Sequence, residues 1–206
     1  MKNSRKGFML VLSSPSGAGK STLCKRIIHY DDNIKMSISM TTRPKRKSEV
    51  EGRDYYFTQE KIFFEKKDKG YFIETAKVFD YFYGTPKKFV SKNLQNGFDI
   101  VFDLDWQGKQ KLADYSSSDL VSIFILPPST DDLENRLRNR AEDTIEIVNN
   151  RMANAKSEIS HWVEYDYVLI NDDIEECVKN IITIINAERL KRFRQNYIYD
   201  FVDNLT

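Results

Sequence analysis

Lys20 and Ser21 stand directly behind Ser14-Pro15-Ser16-Gly17-Ala18-Gly19, at the end of an apolar run that begins at Phe8. A lysine and a hydroxyl placed after two closely spaced glycines resemble a Walker A loop, whose backbone N–H groups turn inward around phosphate oxygens. Gly17 and Gly19 allow the close backbone approach that a Cβ would obstruct. Lys20 adds a point charge, Ser21 an oxygen ligand for Mg2+, and a helix starting here adds its unpaired N–H groups and dipole. Ser14 stands where the pattern usually begins with glycine, a modest departure. Ser14, Pro15, Ser16, Gly17, Ala18, Gly19, Lys20, Ser21 and Thr22 are therefore the expected seat of the ATP phosphates. Such a loop specifies a nucleoside triphosphate and leaves the acceptor open.

The elements around the loop fit this use. The short continuous apolar run before it reads as a fully buried parallel strand, and Leu23, Cys24, Ile27 and Ile28 after it give an amphipathic helix. Residues 98–103, 120–126 and 167–170 read as further buried strands, mostly separated by helical stretches, and residues 174–190 as a closing helix. That alternation predicts an α/β fold with an open, mostly parallel sheet flanked by helices. Two stretches depart from it: residues 37–89, aromatic and turn-rich, and residues 131–160, charged and helical. Both read as insertions, leaving a core of about 1–36, 90–130 and 161–206 in one domain.

Composition narrows the function classes. Thirty-two Lys and Arg against 31 Asp and Glu leave a net charge of +1, which predicts neither a nucleic-acid nor a membrane partner. No segment approaches membrane-spanning length, and the apolar run at the N-terminus is too short for a signal sequence, so a cytoplasmic protein is expected. Cys24 and Cys177 match no metal-ligand spacing and read as buried free thiols. Asp103 ends an apolar strand as a Walker B carboxylate does. It either holds Mg2+, directly or through water, or caps a turn.

The acceptor emerges from Ser39-Met40-Thr41-Thr42-Arg43-Pro44-Lys45-Arg46, continued through Gly52-Arg53-Asp54-Tyr55. This stretch closely resembles the guanylate kinase family, as do Phe72-Ile73-Glu74, Tyr83-Gly84-Thr85, Asp103-Leu104-Asp105-Trp106-Gln107-Gly108 and Asn171-Asp172-Asp173. The resemblance runs from the first strand to about Arg189. It implies a P-loop nucleoside monophosphate kinase with a GMP-binding insertion at about 37–89 and a lid at about 131–160. It implies that Ser39, Arg43, Arg46, Tyr55 and Tyr83 hold the acceptor phosphate, for which guanidinium forks and neutral hydroxyls are apt. Glu74, Thr85 and Asp105 would read guanine, the carboxylates facing the N1 and N2 donors and the hydroxyl facing O6. Adenine would set an unprotonated N1 against Glu74, a mismatch that such sites reject strongly.

Arg136 and Arg140 lie four apart, on one face of a helix. The resemblance makes them, with Arg151, part of a lid over the phosphates, and Asn171 part of the ATP site. Lys20, Arg43, Arg136, Arg140 and Arg151 would then stabilise the transferring phosphoryl group. No general base is needed, because a phosphate oxygen is already a competent nucleophile. The expected reaction is Mg-ATP-dependent phosphorylation of GMP, and of dGMP, in purine nucleotide metabolism and GMP recycling, by a monomer or homodimer. Two alternatives stand: a non-catalytic protein-binding module of the same fold, and a kinase for another nucleoside monophosphate. Without the resemblance, the Arg43, Lys45, Arg46, Lys47 cluster reads as a solvated patch or a nucleic-acid contact. His29 and His161 lack catalytic partners at motif spacing, and residues 192–206 have no assigned role.

Overall fold

The apolar run before the glycine-bearing loop becomes β1 (Met9–Ser13), the middle strand of a five-stranded parallel sheet. β7 (Asp99–Asp103) and β8 (Leu120–Leu126) flank it, with β2 (Ile34–Met36) and β9 (Tyr167–Ile170) at the edges. The computed structural model describes residues 5–78, 80–139 and 145–205. Successive side chains on a strand point to opposite faces, so a strand covered on both sides must be apolar throughout. Leu10 and Leu12 pack with Leu23, Cys24 and Ile27 of α1 (Lys20–Tyr30) and Val178, Ile181 and Ile185 of α7 (Ile174–Arg189). Met9 and Val11 pack on the other face with Val90 and Leu94 of α3 (Lys87–Gln95) and Leu112 of α4 (Trp106–Ser116). This is the α/β architecture expected from the strand pattern. Cys24 and Cys177 are buried free thiols in the first of these layers, where burial pushes the Cys177 thiol up to about 11.

Parallel pairing aligns the strand ends. Leu12 lies opposite Asp103 and Ser13 opposite Phe124, so the loop after β1 and the end of β7 share one rim. β2 has only three residues, one of them Lys35, and its pairing with β7 rather than any apolar run makes it a strand.

Residues between β2 and α3 build a second, four-stranded sheet. Its strands are β3 (Met40–Thr41), β4 (Tyr56–Phe57), β5 (Phe72–Val78) and β6 (Tyr81–Pro86), in the order β4-β3-β6-β5. α2 (Glu60–Asp68) covers it, and Phe63 stacks on Phe72 at 4.8 Å to form a separate small core with Met40. The Lys111 ammonium of α4 donates to the Thr75 carbonyl of β5 and joins this sheet to the main body.

A third unit pairs α5 (Thr130–Arg138) with α6 (Ile145–Ser160) through Leu133, Leu137, Val148 and Ala155. The Ser129 hydroxyl caps α5 by accepting the Asp132 N–H at 3.0 Å, and Asp131 and Asp132 complement the dipole in its first turn.

The C-terminal stretch closes the sheet end opposite the loop. Arg194 is buried, lies 4.7 Å over the Phe8 ring and donates to Glu188 at 3.4 Å, while its carbonyl accepts the Lys6 N–H at 2.9 Å. α8 (Tyr197–Asp203) follows. No helix among the described residues is long and apolar enough to cross a membrane.

Candidate functional site

At the rim, the chain leaves β1 and enters α1 through two glycines in the left-handed region, Gly17 at φ 98° and Gly19 at φ 97°. A Cβ on Gly19 would come to 2.5 Å from Asn171 Nδ2, and one on Gly17 to 3.0 Å from Leu137. Both positions need glycine for conformation, and Gly19 also for space against the buried Asn171 amide. Asn171, just past β9, donates from Nδ2 to the Ala18 carbonyl at 2.7 Å, and its own carbonyl accepts from Arg136 at 3.0 Å. One buried residue thus ties the loop to α5. Ser14, where the pattern usually has glycine, donates its hydroxyl to the Pro15 carbonyl at 2.9 Å. α1 starts with no side-chain cap and no acidic residue in its first turn, and Ser21 and Thr22 there are exposed. Its N-terminus is therefore open to an anion.

Lys20 Nζ lies 2.9 Å from Asp103 Oδ1 and donates to the Leu104 carbonyl at 3.0 Å. Ser21 Oγ donates to Asp103 Oδ2 at 2.5 Å. Asp103 and Ser21 thus offer adjacent hard oxygen donors beside the loop. That donor set suits Mg2+, which typically binds one or two protein oxygens together with substrate phosphates and water. Across the same cavity, of about 260 Å3, Glu158 of α6 accepts the Ser16 N–H on Oε2 at 3.2 Å.

The second sheet carries a different kind of pocket. Glu74 on β5 and Thr85 on β6 are both buried, and the Thr85 hydroxyl donates to Glu74 Oε1 at 2.8 Å. Glu74 Oε2 is buried with no partner among the described residues. Burial pushes the Glu74 carboxyl above its usual range; the Thr85 hydrogen bond and the Lys111 charge oppose the shift, and the Asp105 charge adds to it. A cavity of about 350 Å3 brings Glu74 together with Ser39, Tyr55, Tyr83, Asp103 and Asp105. Asp105 is also the N-cap of α4, accepting the Gly108 N–H on Oδ1 at 2.8 Å, so the helix uses one of its oxygens. Trp106 follows, stacked on His161 at 3.8 Å, and the His161 ring in turn lies 2.6 Å from Glu164.

Arg43 lies 5.4 Å from the ring of Tyr55, which lines this pocket, and Tyr55 meets Tyr83 edge-on at 5.9 Å. The Arg43 guanidinium donates to Glu49 Oε1 at 2.5 Å, and Glu49 Oε2 accepts the Arg46 N–H at 2.8 Å. The Arg43 hydrogen bond holds the Glu49 carboxyl below its usual range. Arg46 is exposed nearby. Of the three arginines expected from the helical insertion, Arg136 reaches the loop region through Asn171, Arg151 lies on α6 and Arg140 lies outside the described residues.

Sequence reasoning missed Glu49 and Glu158. Glu49 had a signal, an acid within a basic loop and six residues from Arg43. Glu158 had none, since one more carboxylate on a charged helix reads as solvated.

A parallel sheet whose central strand feeds a glycine-bearing loop, with accessory units on either side of the rim, defines a P-loop phosphotransferase-type α/β protein. The family model for guanylate kinase matches residues 6–188. Guanylate kinases of Cereibacter sphaeroides and Paramagnetospirillum magneticum are 51% and 50% identical to this chain over 202 residues each, 98% of this chain and 96% and 94% of theirs. The crystal structure of guanylate kinase from Anaplasma phagocytophilum superposes with a TM-score of 0.79 at 38% identity, covering 98% of this chain and 96% of that one. The chain belongs to the guanylate kinase family.

Proposed function

We propose that this protein transfers the terminal phosphoryl group of ATP to GMP, giving ADP and GDP. The observation that carries the acceptor assignment is the buried Glu74 carboxylate, with one oxygen unpartnered and the other held by Thr85, facing the cavity shared with Asp103 and Asp105. An unpaired buried carboxylate oxygen is costly and calls for a donor from a ligand. Guanine supplies two adjacent donors, at N1 and N2, and an acceptor at O6. The Thr85 proton rests on Glu74. Rotating it toward O6 frees the second Glu74 oxygen, so one exchange satisfies all three groups.

Arg43, Arg46, Ser39, Tyr55 and Tyr83 then hold the acceptor phosphate, with Glu49 releasing Arg43 to it. The loop from Ser14 to Thr22 and Asn171 hold the donor. Lys20 leaves Asp103 for the phosphates, where its charge is worth most as the phosphoryl group transfers. Asp103 and Ser21 are the residues to hold Mg2+, which when bound neutralises phosphate charge. Residues 37–89 act as the acceptor-binding insertion and residues 131–160 as a lid, with Arg136, Arg140 and Arg151 supplying the remaining positive charge and closure excluding water as a competing acceptor.

Incubation with GMP and ATP labelled in the γ-phosphate tests this reading. The label is expected in the β-phosphate of GDP. Label appearing only in inorganic phosphate would refute it and favour a nucleotide hydrolase; label that stays in ATP would refute it and favour a non-catalytic binding module.

A further inference from the structure

The phosphate loop is met by two carboxylates from within the protein. Asp103 takes the Lys20 ammonium and the Ser21 hydroxyl, and Glu158 takes the Ser16 N–H at 3.2 Å from across the cavity. Asp103 belongs to the machinery proposed above, but Glu158 has no part in it. Its side chain is half-buried in the same cavity as Gly17, Gly19, Lys20 and Asp105. A carboxylate there is costly unless paired. Burial pushes the Glu158 carboxyl up, while the Ser16 N–H and the Lys20 charge favour its ionised form. Those two groups are ones that a phosphate also seeks.

We infer that Glu158 is an internal competitor of the donor nucleotide: it holds a loop N–H suited to a phosphate oxygen, so ATP binds by displacing this carboxylate. The inference rests on the assignment of the loop to ATP. The competition has two physical parts. One N–H cannot serve two oxygens at full strength, because hydrogen-bond geometry is steep in angle and distance. In addition, an anion at the loop repels an arriving polyanion. Arg151 lies seven residues earlier on the same helix, two turns away and hence on the same face. That face of α6 therefore carries both a side chain opposed to the donor and one suited to attract it.

Isothermal titration of the full chain with Mg-ATP and with adenosine tests the inference in Glu158→Gln and Glu158→Ala. Both variants are expected to bind ATP more tightly than the parent with adenosine affinity unmoved, Glu158→Ala by about threefold to tenfold and Glu158→Gln by about twofold to threefold, since the amide oxygen still accepts the Ser16 N–H and only the charge is lost. A side chain that only supported the loop would not tighten binding when removed. Unchanged or weaker ATP binding in both variants would overturn the inference, and so would an equal gain for adenosine. If the alanine variant loses its circular-dichroism spectrum, the nearly isosteric glutamine variant decides. A parent chain that does not bind ATP at all would overturn the loop assignment and this inference with it.

Discussion

The phosphate loop and the base pocket face one rim but are built in opposite ways. The loop is nearly continuous in sequence: Ser14 to Ser21 run from one strand into one helix, and Asp103, Glu158 and Asn171 meet them from elsewhere. The pocket is discontinuous. Glu74 and Thr85 come from β5 and β6 and Asp105 from the cap of α4, and Glu74 and Asp105 line one cavity only because the second sheet docks against α4. In the proposed function the loop binds by backbone and point charge, which any triphosphate satisfies, and the pocket by directed side-chain hydrogen bonds, which one base satisfies. Loop changes should therefore abolish turnover whatever the acceptor, and pocket changes should alter which acceptor is used.

The largest effect is expected in the loop. Lys20→Ala should lower kcat about a thousandfold by removing charge that matters most in the transition state, while GMP affinity stays near the parent value. Steady-state assays with a separate GMP titration check both halves, and a parallel loss of GMP binding would break the proposed separation of the two regions.

Glu74→Gln comes next. It should lower kcat/KM for GMP about a hundredfold, because an amide supplies one acceptor where two are needed, and it should leave the ATP dissociation constant unmoved. Thr85→Ala should cost about tenfold in the same parameter, the scale of one neutral hydrogen bond to a ligand that has lost its donor. If Thr85 and Glu74 act together through their 2.8 Å hydrogen bond, the double variant should fall short of the product of the two losses.

The smallest effect is a pH dependence. Burial raises the Glu74 carboxyl above its ordinary 4.5 in the folded protein. The ionised form accepts the guanine donors, so GMP affinity should fall severalfold as pH drops through a window above 4.5. Folding stability moves the other way: the charged form destabilises the fold at neutral pH, and that penalty is lost as pH falls through the raised value. GMP titrations and thermal melts between about pH 7 and 5 should diverge in this manner, and both contributions should be missing from the Glu74→Gln variant, which also controls for titration of the nucleotide itself.

The same contrast governs what could be read in advance. The loop was legible because its chemistry is local: glycine, lysine and hydroxyl spacing dictates backbone path and charge together. The main sheet was legible because strands buried on both faces must be apolar throughout, as in β1 and β8. β2 escaped notice because pairing with β7, rather than composition, makes Ile34–Met36 a strand. The pocket residues could be named only through resemblance, since nothing in the spacing of Glu74, Thr85 and Asp105 requires them to meet. Glu49 could have been found from its place six residues from Arg43 in a basic loop, whereas Glu158 on Ser16 was illegible for a further reason. It is a carboxylate whose partner is fixed by tertiary placement, and in sequence it is one acid among 31. The role of Arg194 beneath Phe8 likewise depends on where the tail folds back, which no local pattern records.

The central claim is that one rim joins a general triphosphate loop to a guanine-specific pocket. It is tested most directly by comparing kcat/KM with ATP and Mg2+ for GMP, dGMP, AMP and UMP under identical conditions. The predicted result is turnover with the two guanine nucleotides and a preference over AMP of about 10⁴ or more, as expected where a buried carboxylate would be left facing an unprotonated base nitrogen. Comparable turnover with AMP or UMP, or no turnover with any of the four, would contradict it.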